Sequence, residues 1–170
     1  MFKQIFELFK SDSLYEQANT ECHEMLEIVR QMFNESVNSL RNSDSADIPL
    51  DIYAMDKKIN EFERDVRRKV MTHLAVGGKE DIGSGLILVS VVIDIERIGD
   101  YTKNIYDLAL NHPKKLTSGS LESTLNDMEN STKDFLNKKE IITYNNIKDL
   151  AQKINKYSTV SYTHLTLPTT

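Results

Sequence analysis

One cysteine, Cys22, in a chain of 170 residues excludes a disulfide framework and any Cys-x-x-Cys pair. No apolar run reaches the roughly eighteen residues that a membrane span requires. The N-terminal stretch Met-Phe-Lys-Gln-Ile-Phe-Glu-Leu-Phe-Lys is too short and too acidic for a signal peptide, so a cytoplasmic location is expected. Basic charge is also scarce: the formal net charge is −5, which argues against nucleic-acid binding and suits cations or basic partners. There is no Gly-x-x-x-x-Gly-Lys phosphate loop and no Gly-x-Ser-x-Gly elbow. The Glu-x-x-His pairs of di-iron bundle enzymes are missing too, since Thr20, Val70 and Ala109 precede His23, His73 and His112 by three positions.

What the chain does have is helical periodicity. With 39% apolar and 28% charged residues it is long enough to hold a core, and nearly every periodic segment repeats at 3.6 residues. The expected fold is all-α, an antiparallel helical bundle. Residues 2 to 10 read as a short amphipathic lead. Ser13-x-x-Glu16 reads as a capping box opening helix one, whose seam runs through Cys22, Met25, Leu26, Val29, Met32, Phe33, Val37 and Leu40 and ends near Arg41. Asp47 with Pro49 resembles an N-cap and a first-turn proline for helix two, which should run to about Leu74. Gly77-Gly78 then stops it, and Asp81 can cap helix three. Gly83-Ser84-Gly85 reads as a flexible entry to that helix, with an anion-holding amide turn as the rarer alternative. From Leu86 to Ile95 helix three is apolar nearly all round, which predicts a place in the middle of the bundle. Asn111-His-Pro ends it. Two further helical segments span Leu121 to Asn137 and Asn145 to Tyr157.

Two acidic stripes interrupt these seams. At 100° per residue, Glu96 and Asp100 lie about 40° apart and share a stripe with Val89, Val92 and Ile93. Asp56, Asn60, Glu63 and Arg67 fall within an arc of about 60° on the border of the seam Ile52, Met55, Ile59, Phe62, Val66, Val70. Carboxylates facing a core need a cation, because burying them unpaired costs several kcal/mol each. Two sources remain open at this point. One is a metal ion, for which oxygen ligands favour hard cations such as Mg²⁺, Ca²⁺ or Mn²⁺, with iron or zinc also possible. The other is an internal salt-bridge network through Arg67, Arg68 and Arg97. His23 can pair with Glu27 one turn on, and Cys22 reads as core.

The order Asp56-x-x-Ile-Asn-x-x-Glu63, then about thirty residues to Ile95-Glu-Arg-Ile-Gly-Asp100-Tyr-x-x-Asn104-Ile, resembles the PhoU family of phosphate-uptake regulators. The resemblance implies tandem three-helix repeats that carry paired acidic motifs and bind metal at the bundle surface. It implies regulation rather than catalysis, with a phosphate ABC transporter and a sensor histidine kinase as partners and no nucleic acid. Membrane contact would run only through a partner. On the same resemblance the metal ligands would be Asp56, Asn60, Glu63, Glu96 and Asp100, with iron, zinc, manganese or magnesium as the ion. Asn60 stands where a second Asp is usual. A cytoplasmic domain of a sodium-dependent phosphate transporter and a metal-dependent bundle enzyme are the alternatives.

The expected organisation is therefore a lead at 1–11, a first three-helix repeat at 12–112, a partial second repeat at 118–157 and a tail at 158–170. Ser158-Thr-Val-Ser-Tyr-Thr-His-Leu-Thr-Leu-Pro-Thr-Thr170 carries no charge at neutral pH and is rich in Thr, the appearance of translated vector or adapter sequence. Residues 160 to 170 are expected to touch the bundle little. A partial second repeat would also expose Phe135, Ile147, Leu150 and Ile154 and favour homo-oligomers.

Overall fold

A computed structural model describes residues 2–45, 48–76, 82–112, 114–116, 119–137 and 144–166. Among these every regular element is helical: α1 Phe2–Asn42, α2 Ile52–Val76, α3 Ile82–Asn111, a 3-10 turn at Gly119–Leu121, α4 Glu122–Asn137 and α5 Tyr144–Thr166. The all-α expectation holds. The ion pair of Glu21 with Lys69 sets α2 antiparallel to α1, and the bond from Leu116 N to Leu40 O (2.8 Å) returns the end of α3 to the end of α1. Helix α5 lies along α3 in the same direction and presents Tyr157 to Phe33 of α1, ring centroids 6.1 Å apart.

Several boundaries differ from the sequence reading, each for a local reason. Helix α1 runs unbroken through Ser13, so the capping box caps nothing. No Gly or Pro occurs between Phe2 and Asn42, and extending a running helix is far easier than nucleating a new one. Helix α2 is capped by Asp51, whose Oδ1 accepts the Ala54 N–H at 2.9 Å. The expected cap Asp47 lies outside the described residues, as do Gly77, Gly78 and Asp81. Gly83 and Gly85 belong to α3 itself rather than to a flexible entry. A Cβ on Gly85 would stand 2.9 Å from Leu74 Cδ1, so this glycine lets the end of α2 pack close.

The core joins Met25, Val29, Met32, Phe33 and Val37 of α1 to Ile59, Val66 and Val70 of α2, and to Val92, Ile95, Ile98 and Ile105 of α3. Helix α3 sits centrally, packed on α1, α2 and α5, although Leu86 and Ile87 in its second turn face outward. Ile147, Leu150, Ile154 and Tyr157 of α5 are buried in the same cluster, and Phe135 packs against it. The expected exposure of that seam is thus overturned, because α3 and α4 pack on α5 and Phe33 of α1 meets Tyr157.

The expectation that residues 160–170 touch the bundle little is overturned at Val160 and Ser161. Helix α5 continues past Tyr157 to Thr166, Ser161 is fully buried and Val160 packs on the core. Threonine is a poor helix former, and the hydroxyls of Thr159 and Thr163, donated to the carbonyls of Asn155 and Thr159 at 2.9 Å each, do not change that; packing of the buried face holds these turns. Tyr157 and Ser161, one turn apart, share the buried face.

Beneath the α3–α4 connection lies a buried polar knot. Arg41 donates from Nε to Glu129 Oε1 (2.9 Å) and from Nη1 to the Leu116 carbonyl (2.8 Å), and it also pairs with Glu122. Tyr157 donates its hydroxyl to the same Glu129 oxygen at 2.7 Å. One guanidinium thus ties α1 to α4, and through Glu129 to α5.

Candidate metal centre

The acidic residues of α2 and α3 flank a close contact between the two helices. Gly99 makes that approach possible: a Cβ there would stand 3.0 Å from Ile59 Cδ1, a fully buried side chain. The glycine sits between Glu96 and Asp100, so close helix contact and paired acids arise from the same five residues.

These acids stand at the edge of the core and not inside it. Glu96 and Asp100 are half-buried, because the fully buried positions of this stretch are Val91, Val92, Ile95 and Ile98. The sequence reading turned the stripe too far inward. Asp56 and Glu63 of α2 are better covered, each with 15% of its side chain exposed.

Their partners are cations of the chain. Lys103 places its Nζ 3.0 Å from Asp56 Oδ2 and 2.8 Å from Asp100 Oδ1, one carboxylate from each helix. Although burial works against its charge, the two carboxylates hold the ammonium above its ordinary range. Arg67 donates to Glu63 at 2.8 Å within α2. Arg68 and Arg97 pair instead with Asp65 and Asp94, at 2.7 and 3.0 Å, and leave the cluster. Glu96 has no ion pair among the described residues. Burial pushes its carboxyl up, and the charges of Asp100, Glu63 and Asp56 push it further, against a small opposing effect of Arg97. Asn60, half-buried on the same face, donates its amide back to the Asp56 carbonyl at 3.0 Å.

The structure therefore couples Asp56, Glu63, Glu96 and Asp100 electrostatically and joins Asp56 to Asp100 through Lys103, with Asn60 bonded to its own helix. Lys103 escaped the sequence reading, though its position signals it. At seven residues from Glu96 it lies about 20° off that residue's stripe. His23 is a further correction: its Nδ1 lies 2.9 Å from the Asn19 carbonyl oxygen, while Glu27 pairs with Arg30.

In kind these oxygens suit a hard cation. In position, no group of three or more His, Cys, Asp or Glu among the described residues is arranged to hold a metal ion. The point on which Asp56 and Asp100 converge is filled by the Lys103 ammonium, which acts there as a stand-in cation.

The family model described as the PhoU domain matches residues 22–109, just over half of the chain. That span holds both acidic stripes, Gly99 and Lys103. No curated protein and no solved structure matches.

Proposed function

Because this chain belongs to the PhoU domain family, we propose that it is a non-catalytic regulator of phosphate uptake that carries a metal ion on the acidic face of α2 and α3. The family is one of phosphate-transport regulation. The finer reading adds an adaptor role toward a phosphate ABC transporter and a sensor histidine kinase, from the cytoplasmic side. On this reading the membrane is reached through the transporter, and no helix among the described residues is long and apolar enough to cross one.

One observation supports the metal reading above the rest: the Glu96 carboxyl is pushed up by burial and then by three acids of two helices, while among the described residues no ion pair relieves it. Asp56, Glu63, Glu96 and Asp100 are the residues that would hold the ion, with Asn60 beside them. A bound divalent or trivalent ion, iron, zinc, manganese or magnesium, would neutralise these charges and cross-link α2 to α3. That would stiffen the surface offered to a partner.

Thermal melts test this directly. Added Mn²⁺, Fe²⁺ or Zn²⁺ is expected to raise the melting temperature by mass action, by about 2.7 kcal/mol of stability at one hundred times Kd. Glu96→Gln and Asp100→Asn should abolish the gain, and Glu96→Gln without metal should melt above the parent because like-charge repulsion is relieved. No shift with any of these ions sinks the metal reading. The regulatory reading is checked by a phosphate-responsive reporter in cells lacking their own PhoU-type regulator, where this chain should restore repression at high phosphate.

A further inference from the structure

We infer that the groove between α3 and α5 is a docking site for an extended segment of a partner protein, anchored by an arginine of that segment on Asp107. The inference is independent of the metal reading. The groove has a volume of about 550 Å³ and is lined by Tyr101, Asn104, Asp107, Leu108 and Asn111 of α3 with Asn155 of α5 among others, a size usual for ligand sites. It continues past Tyr101 and Asn155 as far as Ser90 and Lys148. From Ser90 to Asn111 helix α3 rises about 30 Å, which matches about nine residues of extended chain. That length suits a polypeptide rather than a small amine.

The chemistry at one end of the groove selects a cation. Asp107 is half-buried and accepts the Tyr53 hydroxyl on Oδ1, and among the described residues no cation pairs with it. Lys103, one turn back, is held by Asp56 and Asp100. Helix α3 ends without a basic residue in its last turn, so its C-terminal carbonyls add negative potential close to Asp107. Tyr53 is 50% exposed and packs edge-on against Tyr106, ring centroids 6.1 Å apart. A carboxylate beside an exposed tyrosine ring fits a planar guanidinium, which forks onto the one and stacks on the other. The rest of the lining suits main chain. Asn104 and Asn155 are exposed neutral amides, able both to donate to a peptide carbonyl and to accept from a peptide N–H. A helical partner has those groups bonded within itself, so an extended segment is the better match. Tyr101 and Leu108, both half-buried, give its side chains an apolar floor.

The test uses the full chain and a phage-displayed library of random nonapeptides. Selection is expected to enrich arginine at one fixed position. Titration calorimetry of the enriched peptides should show at least a tenfold loss of affinity when that arginine is replaced by alanine, and the same loss on Asp107→Asn, which keeps an acceptor for Tyr53. Tyr101→Ala should weaken binding severalfold and leave the preference for arginine unchanged. No enrichment, enrichment without arginine, or equal affinity of parent and Asp107→Asn overturns the inference. So does arginine amide binding as tightly as the peptides, which makes the groove a small-cation site. Self-association of the parent that Tyr101→Ala abolishes also overturns it, because a second copy then fills the groove. None of these outcomes bears on the metal melts, so the two readings fail separately.

Discussion

At the scale of single residues, burial decides chemistry that residue type alone leaves open. Cys22 is fully buried in α1, and its thiol is pushed up from an ordinary 9.0 to about 12, first by burial and then by the charge of Glu21. The folded state keeps this proton where the unfolded state loses it, so stability present below about pH 9 should fall as pH rises toward 12. Urea midpoints at pH 8 and pH 10.5 should therefore drop more in the parent than in Cys22→Ala, and a thiol reagent at pH 8 should label only the unfolded chain. Cys22 as core was legible from its place on the helix-one seam. Lys103 was legible only as a position, because a lysine on a stripe of acids is equally consistent with a side chain extended into water. Its commitment depends on Asp56 of the neighbouring helix, which no single-helix pattern contains.

At the scale of elements, the Arg41 knot fixes how α4 and α5 join the first three helices. Arg41 and Glu129 expose only 6% and 10% of their side chains. Removing Arg41 leaves Glu129 with the Tyr157 hydroxyl and no cation, whereas removing Glu129 leaves Arg41 with Glu122 and the Leu116 carbonyl. Arg41→Ala should cost roughly 3–5 kcal/mol in chemical unfolding and Glu129→Ala less, and the double variant should cost clearly less than the sum. Additive losses would show that the two side chains act apart. Helix existence was readable from apolar period alone, and α3 and α4 lie within a residue or so of the expected bounds wherever these are described. The start of α1 and the end of α5 were misjudged for one reason: local signals such as Ser13-x-x-Glu16 or a run of threonines compete with helix propagation and packing, and lose unless Gly or Pro stands there.

At the scale of the whole molecule, the last turns of α5 are part of the fold. Val160 packs on the core and Ser161 is fully buried beside Tyr157. Deleting residues 160–170 is accordingly expected to lower stability by about 1–2 kcal/mol, chiefly from lost Val160 burial. A chain of this size should then melt some 2–8 °C lower. An unchanged melt would mean that these turns contribute nothing to the bundle. The contrast with the charge-free, Thr-rich composition is instructive, since composition registers what a segment is made of and packing registers what it lies against.

By itself the sequence determined the all-helical class, the seams that form the core and the two acidic stripes, because all three are periodic along one helix and period survives without a partner. It also contained the glycine that lets α2 and α3 approach. Tertiary structure alone decided how deep the acids sit and which cations meet them. It also decided that α5 is covered. Those outcomes depend on the rotation of one helix against another, a few tens of degrees that carry a carboxylate from core to rim, and on side chains that reach across from a different helix. A one-dimensional pattern records neither.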